Sequence, residues 1–225
     1  AEAVDKSAAP DPQRGELRDM LLEFIDIFKQ TGDRTHVCPL FEQAIPVTDD
    51  IPVVIKQYPL PRAAREALDE RITEFLDAGV IRPSKSNYMN PIWMVMKKDG
   101  SWRMCVDFRE LNKKIPKDSY PLPRIEEMIE EFRDAQYLTC NDMFWGFYHI
   151  KIKEEDIPKT AFSTGSGCFE FAQLPMGLKT APAAFQRLMN LSFADHLGKF
   201  VLAYMDDLII YSKTAEQHIK DLGKV

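Results

Sequence analysis

Apolar positions along the chain change period several times, and each change marks an expected element. Leu17, Leu21, Phe24, Ile25 and Phe28 recur at helical spacing up to Gly32, which predicts a short amphipathic helix. Residues 1–14, rich in Ala, Pro and Asp and without periodicity, read as a mobile lead-in. Between Cys38 and Pro61 prolines alternate with β-favouring Ile45, Val47, Ile51, Val53, Val54 and Ile55, the pattern of extended edge or linker strands, with a boundary near Tyr58. Arg62 to Ala78 reads as a helix with Leu68, Ile72, Phe75 and Leu76 on one face, Pro61 ahead of it and Gly79 as its C-terminal cap.

Two hairpins follow, separated by a helix and a strand. Pro91 to Met96 and Trp102 to Val106 flank a turn containing Asp99-Gly100, and Thr160 to Thr164 and Cys168 to Phe171 flank Gly165-Ser166-Gly167. Between them, Pro123 to Phe132 predicts a helix with an acidic outer face, and Gln136 to Asp142 a strand ending in a carboxylate. A helix is expected over Ala181 to Leu197, with Phe185, Leu188, Met189 and Phe193 inward. The strands Phe200 to Tyr204 and Leu208 to Tyr211 then enclose Met205-Asp206-Asp207. The fold class expected is α+β with antiparallel hairpins.

Composition narrows the class. With 225 residues, 45% hydrophobic and 28% charged, the chain can bury a core as one domain or two packed subdomains. No apolar run approaches the ~18 residues that would cross a bilayer, so no membrane insertion is expected. The polar, acidic start carries no secretory signal, which places the protein inside the cell, in the cytoplasm. Cys38, Cys105, Cys140 and Cys168 stand far apart, with no zinc-site spacing, and read as buried thiols of a reducing compartment. A net charge of −6 argues against nucleic acid until its distribution is seen. Residues 1–57 carry −5 of it, and Arg82 to Lys117 holds nine bases against three acids. That stripe reads equally well as a solvated face or a phosphate-binding surface.

Asp206-Asp207 stands in a tight turn between two very apolar strands, and a lone Asp-Asp turn is more often structural than catalytic. A third acid alters that balance. Asp142 also ends an apolar strand, and if it lies beside the hairpin, three carboxylates meet at the edge of one sheet and repel each other unless a cation joins them. Oxygen ligands without His or Cys favour Mg²⁺ or Mn²⁺, and a pair of such ions ~4 Å apart supports in-line phosphoryl transfer. The residue types thus point to metal-assisted phosphoryl or nucleotidyl chemistry.

Tyr204-Met205-Asp206-Asp207 also matches the Y-x-D-D signature of reverse transcriptases. With it come Trp102-Arg103-Met104-Cys105-Val106-Asp107-Phe108-Arg109-Glu110-Leu111-Asn112, Tyr120-Pro121-Leu122-Pro123-Arg124-Ile125, Leu174-Pro175-Met176-Gly177-Leu178, Ala181-Pro182-Ala183-Ala184-Phe185-Gln186 and Gly79-Val80-Ile81-Arg82-Pro83-Ser84. In order and spacing these resemble the gypsy class of long-terminal-repeat retrotransposons, from about Thr35 to Ser212.

The resemblance implies a right-hand polymerase of fingers and palm, with an antiparallel palm sheet and the thumb absent. The division expected is an N-terminal arm at 1–34, an extended linker at 35–61, mainly fingers at 62–135 and mainly palm at 136–225, the two interleaved and cut before the thumb. It implies an RNA- or DNA-templated DNA polymerase that extends a primer with deoxynucleoside triphosphates. Asp142, Asp206 and Asp207 are then the catalytic carboxylates and metal ligands, holding Mg²⁺, with Mn²⁺ as the alternative. Lys97, Lys98 and Arg103 match the fingers hairpin that folds over the nucleotide, Lys98 being preferred for the lysine role. Met143, Gly146, Phe147, Met176 and Gly177 would line the nucleotide pocket, with Phe147 as the ring that blocks a ribose 2′-hydroxyl. From the residue alone Phe147 is a core phenylalanine. Tyr204, Met205, Arg82 and Trp93 are the nucleic-acid contacts, and for Trp93 a core position is an equal reading.

Retroelement particles or the nucleus join the cytoplasm as expected locations. The sequence also departs from the class. Met143-Phe144-Trp145-Gly146-Phe147 replaces a run close to Leu-x-Ser-Gly-Tyr, and Trp145 brings bulk that would crowd the nucleotide pocket. The primer grip, thumb, connection and ribonuclease H regions of the class are missing, so those regions or partner proteins are expected to complete the binding of primer and template. The competing readings are a domesticated or truncated domain that serves as a non-catalytic scaffold or binding subunit, and an inactive remnant that still binds nucleic acid.

Overall fold

The computed structural model describes residues 10–28, 36–205 and 207–225. Along the chain run α1 (Asp11–Glu23), β1 (Glu42–Gln43), α2 (Arg62–Asp77), β2 (Ile81–Pro83), β3 (Ile92–Met96), β4 (Trp102–Val106), α3 (Arg109–Lys114) and α4 (Ile125–Glu131). There follow β5 (Tyr137–Asp142), β6 (Lys151–Ile152), β7 (Phe162–Ser163), β8 (Cys168–Phe171), α5 (Ala181–Ser192), β9 (Val201–Tyr204), β10 (Asp207–Ser212) and α6 (Ala215–Leu222). Contacts divide the chain into two compact units, one of Ala1–Gly32, Pro121–Phe144 and Gln186–Val225, the other of Asp33–Tyr120 and Trp145–Phe185. Tyr58 falls inside the second unit.

The first unit is built on a three-stranded antiparallel sheet in the order β5-β10-β9. Val201, Ala203, Leu208 and Ile210 are buried beneath it. α6 packs on β10 and β5, and α1 on α6. α6 was not foreseen, although Thr214-Ala215-Glu216-Gln217 carries the pattern of a capping box, and the Thr214 hydroxyl accepts the Gln217 N–H.

α1 corrects the expected lead-in. It begins at Asp11, because Pro12 sits in the first turn, where its fixed φ suits a helix and its missing N–H goes unused. The regular helix also stops at Glu23, so Ile25 and Phe28 leave its register and stand exposed. The expected stop, Gly32, lies outside the described residues, as do residues 1–9. α5 ends at Ser192, short of Leu197, and Phe193 is only half-buried where Phe185, Leu188 and Met189 are buried.

The second unit is centred on α2 and the sheet β2-β8-β7. Ala64, Leu68, Ile72 and Phe75 form the buried stripe of α2, whereas Leu76, one position on and so about 100° around the helix, is exposed. The helix ends in a Schellman motif. Val80 N–H bonds to Phe75 C=O and Gly79 N–H to Leu76 C=O, with Gly79 at φ +73°. Phe75 meets an aromatic cluster of Trp145, Tyr148 and Phe171, and Phe162 extends it. The stretch expected to be extended pairs at β1 with β6 and bridges at Val54 to Met89. Asp156 secures it by accepting the Ile45 N–H at 2.8 Å.

All four cysteines are free thiols. Cys140 and Cys168 are exposed and Cys38 and Cys105 half-buried, which corrects the expectation of four buried thiols. No described helix is long and apolar enough to cross a membrane.

Two pairs of measurements check this account. Gly79→Ala puts a Cβ on left-handed backbone and is expected to lower stability by about 1 kcal/mol, read from the urea midpoint. Gly15→Ala in α1, with open space around it, is expected to raise stability by roughly 0.5–1 kcal/mol.

The second pair concerns His218. It is buried between Thr139 and Tyr137 of β5, Ser212 of β10 and, through Ser212, the Asp221 carboxylate that also holds Lys224. Burial holds its imidazole below the ordinary value near 6.5, while Asp221 works in the opposite direction. The unfolded chain therefore takes up this proton first. Its contribution to stability is full above about pH 6.5 and is lost as pH falls from there through the lower folded-state value. Urea midpoints between pH 7.5 and 5.5 are expected to drop more steeply for the wild type than for His218→Gln. Equal slopes would show that this imidazole does not titrate in the way its burial requires.

Candidate active site

Because β5 and β10 run antiparallel, the last residue of one strand faces the first of the other. Asp142 stands opposite Asp207, Cys140 opposite Ile209, and Tyr204 of β9 opposite Asp207 from the other side. Side chains two residues apart share a face, so Leu138, Cys140 and Asp142 line one face with Ile209, Asp207, Leu202 and Tyr204. Thr139, Leu208, Ile210, Ser212, Val201 and Ala203 project from the other. Tyr204 and Asp207 are the pair nearest the turn of the β9-β10 hairpin. Met205 takes φ +51°, the left-handed backbone that primed hairpin turns require. Asp206, expected as a catalytic and metal-binding carboxylate, lies outside the described residues.

Asp142 and Asp207 are both exposed. Neither is ion-paired to a cation among the described residues, and like charges directly opposite on neighbouring strands repel. Cys140 Sγ donates to Asp207 Oδ1 across 3.7 Å. Burial first, and the Asp207 charge second, push the Cys140 thiol above its ordinary value, so it stays protonated as a donor. Among the described residues no three Asp, Glu, His or Cys side chains gather closely enough to hold a metal ion. The pair Asp142 and Asp207 supplies carboxylate oxygens only, a donor set that fits a hard divalent cation.

Most of the expected nucleotide-binding residues belong to the second unit. β3 and β4 form the expected hairpin, with Met96 opposite Trp102 and Gly100 at φ +81° in the turn. Lys97, Lys98 and Arg103 are exposed at its tip and flank and make no ion pair among the described residues. Met176 is exposed beside Gly177, whose φ is +95°. A Cβ there would approach the Phe108 ring and the Val106 carbonyl at 3.7 Å each. Gly146 and Phe147 are buried in a 3-10 turn, with the Phe147 ring 5.2 Å from Phe185. Trp145 has left-handed backbone, φ +54°, and its indole packs edge-on against Phe75 and Tyr148 at 5.5 and 5.7 Å. Met143 belongs to the first unit and is half-buried.

Two nucleic-acid candidates divide. Trp93 is 53% exposed, which overturns the core alternative, and meets Tyr58 edge-on at 5.9 Å. With Cys105, Val106, Asp107 and Arg109 they line a cleft of about 440 Å³. The Arg109 guanidinium bridges both oxygens of Asp107 at 2.8 and 2.7 Å and holds that carboxyl below its usual range. Arg82, by contrast, is taken by Glu154 at 2.6 Å and by buried Glu170 at 2.8 Å.

Three supporting residues were not singled out from the sequence. Cys140 was signalled by its place two residues before Asp142, since period two puts both on one face. Asn112 donates to Gly177 C=O at 2.8 Å and accepts Lys179 N–H at 2.7 Å, fixing the Met176-Gly177 loop. Gln57 exchanges two hydrogen bonds with the Ile92 backbone, acting as a neighbouring strand for β3. The last two pair residues 65 and 35 positions apart, and nothing local announces them.

The family profile described as reverse transcriptase (RNA-dependent DNA polymerase) matches residues 95–225. The chain is 40% identical over 221 residues to the retrovirus-related Pol polyprotein from transposon opus of Drosophila melanogaster, covering 96% of this chain and 22% of that protein. To the Pol polyprotein from transposon gypsy of the same fly it is 31% identical, covering 99% and 22%. It thus spans about a fifth of the length of these relatives. A crystal structure of prototype foamy virus protease-reverse transcriptase superposes with a TM-score of 0.89 at 26% identity, covering 98% of this chain and 30% of that one. A foamy viral protease-reverse transcriptase solved in complex with an RNA/DNA hybrid shares the fold, with a TM-score of 0.89 at 23% identity, covering 99% of this chain and 30% of that one. The opposed carboxylates, the mixed α/β fold and these matches agree, and the chain belongs to the reverse transcriptase family, as a domain of the gypsy class of long-terminal-repeat retrotransposon Pol polyproteins.

Proposed function

We propose that this domain carries out templated DNA synthesis. A primer 3′-hydroxyl attacks the α-phosphorus of a deoxynucleoside triphosphate, the new phosphodiester forms, and pyrophosphate leaves. The observation that carries the reading is the facing of Asp142 and Asp207, two exposed carboxylates held opposite each other and ion-paired to no cation among the described residues. Such a pair is unfavourable in the free chain and becomes favourable around Mg²⁺ or Mn²⁺. Divalent-metal use goes with the family. Asp142, Asp207 and, by resemblance, Asp206 are the residues that would hold it. What a divalent ion supplies when bound is activation of a hydroxyl and neutralisation of charge on phosphoryl oxygens.

The chain's own residues orient and select. The β5-β10-β9 sheet takes the part of the palm and the β3-β4 hairpin that of the fingers. Lys97, Lys98 and Arg103, exposed and without ion pairs among the described residues, are available to triphosphate oxygens, the guanidinium bidentately and a lysine as a point charge. Gly177 gives the backbone the left-handed turn and lack of Cβ that close approach of a nucleotide needs. Phe147, seated against Phe185, is a ring of fixed position, the property a wall against a ribose 2′-hydroxyl requires. Tyr204 and Met205 at the hairpin, and Trp93 with Tyr58 in the cleft, offer surfaces on which bases stack. Arg82 is left out, since its charge is met by two carboxylates inside the unit.

Primer extension on poly-rA with oligo-dT, Mg²⁺ and dTTP tests the reading. Wild type is expected to extend the primer, and Asp142→Asn and Asp207→Asn to lose roughly 10²- to 10³-fold in rate, the usual cost of removing a group that stabilises developing charge. Each variant is expected to melt at or above the wild-type temperature without metal, because a like-charge pair is relieved. Extension that survives both substitutions would exclude these carboxylates from the chemistry. Folded wild type that neither extends primer nor shifts its melting with Mg²⁺ and dTTP would favour a non-catalytic scaffold.

A further inference from the structure

β5 is an edge strand, bonded to the sheet through β10 alone among the described residues, and its last residue is Asp142. An edge strand with one neighbour is the member most free to change register. A slip of one residue would turn Asp142 away from Asp207 and move every other β5 side chain to the opposite face. The open face offers little resistance, since Leu138, Cys140 and Asp142 are all exposed. Resistance has to come from the reverse face, where α6 lies.

There a directed hydrogen-bond chain ties α6 to both strands. His218 Nε2 lies 2.8 Å from Thr139 Oγ1 on β5, and His218 Nδ1 lies 3.2 Å from Ser212 Oγ on β10. Ser212 Oγ donates to Asp221 Oδ2 at 3.1 Å, and Asp221 Oδ1 accepts from Gln217 at 2.8 Å and Lys224 at 3.0 Å. Because the Ser212 proton goes to Asp221, the Ser212 oxygen accepts from Nδ1–H, which leaves Nε2 to accept the Thr139 hydroxyl proton. One neutral imidazole tautomer satisfies every member, and His218, Ser212 and Asp221 are buried.

Spacing gives this chain its consequence. Thr139 and Asp142 are three residues apart, as Ser212 and Asp207 are five apart, so the groups His218 grips and the carboxylates project from opposite faces of the same two strands. His218 reaches Thr139 only in the register that places Asp142 opposite Asp207.

We propose that His218 is a positioning residue that pins edge strand β5 to β10 through Thr139 and Ser212, and so holds Asp142 and Asp207 in the geometry that takes up a divalent ion. The inference rests on the reading of that pair as the ion's site.

Mn²⁺ binding to the chain without nucleic acid, followed by water-proton relaxation, tests both claims separately. Asp142→Asn examines the site. Thr139→Val, which removes the hydroxyl at nearly constant volume, examines the pin, and His218→Leu and His218→Gln examine its centre. Thr139→Val and His218→Leu are expected to weaken Mn²⁺ binding roughly tenfold, the lower end of what outer groups that orient metal ligands contribute. His218→Gln keeps an amide that can reach Thr139 and is expected to recover part of the loss. Ile210→Val, opposite Thr139 in the sheet and fully buried, lowers stability without touching the chain of hydrogen bonds, and is expected to leave Mn²⁺ binding unchanged. Loss of binding in Asp142→Asn together with wild-type binding in Thr139→Val would overturn the pin and keep the site. Equal losses in Thr139→Val and Ile210→Val would also overturn it, since general loosening would then suffice. Unaltered binding in Asp142→Asn would overturn the site, and the pin with it.

Discussion

Two negative charges face each other at the end of an antiparallel strand pair, and much of the first unit can be understood as what keeps them there. Electrostatics alone would separate Asp142 and Asp207. The opposing force is the burial of Val201, Ala203, Leu208 and Ile210 on the reverse face. A cross-strand charge pair weighs about 0.2–1 kcal/mol, whereas each fully buried aliphatic side chain contributes about 1.5–3 kcal/mol. Packing therefore holds the β9-β10 hairpin against that repulsion, while β5, which contributes none of these four residues, is tied to β10 by its backbone ladder. The same face carries the polar chain through His218, which adds direction to an attraction that is otherwise indifferent to which residue lies opposite which.

The second unit answers a different requirement. Its basic side chains stand on a two-stranded hairpin, a structure that is marginal when isolated. Gln57 supplies β3 with the two hydrogen bonds a third strand would offer at Ile92, and Pro91 C=O accepts the Asp107 N–H at the same end of the pair. The base of the hairpin is thereby fixed while Lys97 and Lys98 remain in an exposed turn. Asn112 does similar work for the Met176-Gly177 loop, where the left-handed Gly177 lies against Phe108 and Val106.

Much of the fold was legible wherever a local rule governs it. Short apolar runs bounded by turn residues marked β3, β4 and β10, an apolar run ending in a carboxylate marked β5, helical spacing marked α2, and Gly79 marked a real C-cap. The errors have physical causes. Pro12 reads as a breaker unless its place in a first turn is known. Leu76 looks like core until the 100° step from Phe75 is counted. Cys140 and Cys168 are apolar in type, yet they occupy the open face of a sheet and a hairpin end, which no composition reveals. The two acids that face each other in the candidate site stood out by residue type, because an acid at the end of an apolar strand is costly without compensation. What could not be read was the register that sets Asp142 against Asp207, 65 positions away. Trp145 was expected to crowd a pocket. Its left-handed backbone instead accompanies an indole packed against Phe75 and Tyr148, a placement only the tertiary structure supplies.

The charge balance resolves in the same terms. A chain of net charge −6 is an unpromising partner for a polyanion, and the basic stripe from Arg82 to Lys117 could have been spent entirely on internal ion pairs. Part of it is. Arg82 is held by Glu154 and Glu170, Arg109 by Asp107, Lys113 by Glu110 and Lys114 by Asp49. The remaining five, Lys85, Lys97, Lys98, Arg103 and Lys117, make no ion pair among the described residues, and three of them cluster on the β3-β4 hairpin. Affinity for phosphate depends on cations that can release counterions locally and not on the sum over the chain. The sum over residues 1–57 therefore does not set the field at the β3-β4 hairpin, because screening confines each exposed charge to a neighbourhood of about 8 Å at physiological salt, and Glu42 and Asp49 of that stretch are already paired with Lys151 and Lys114.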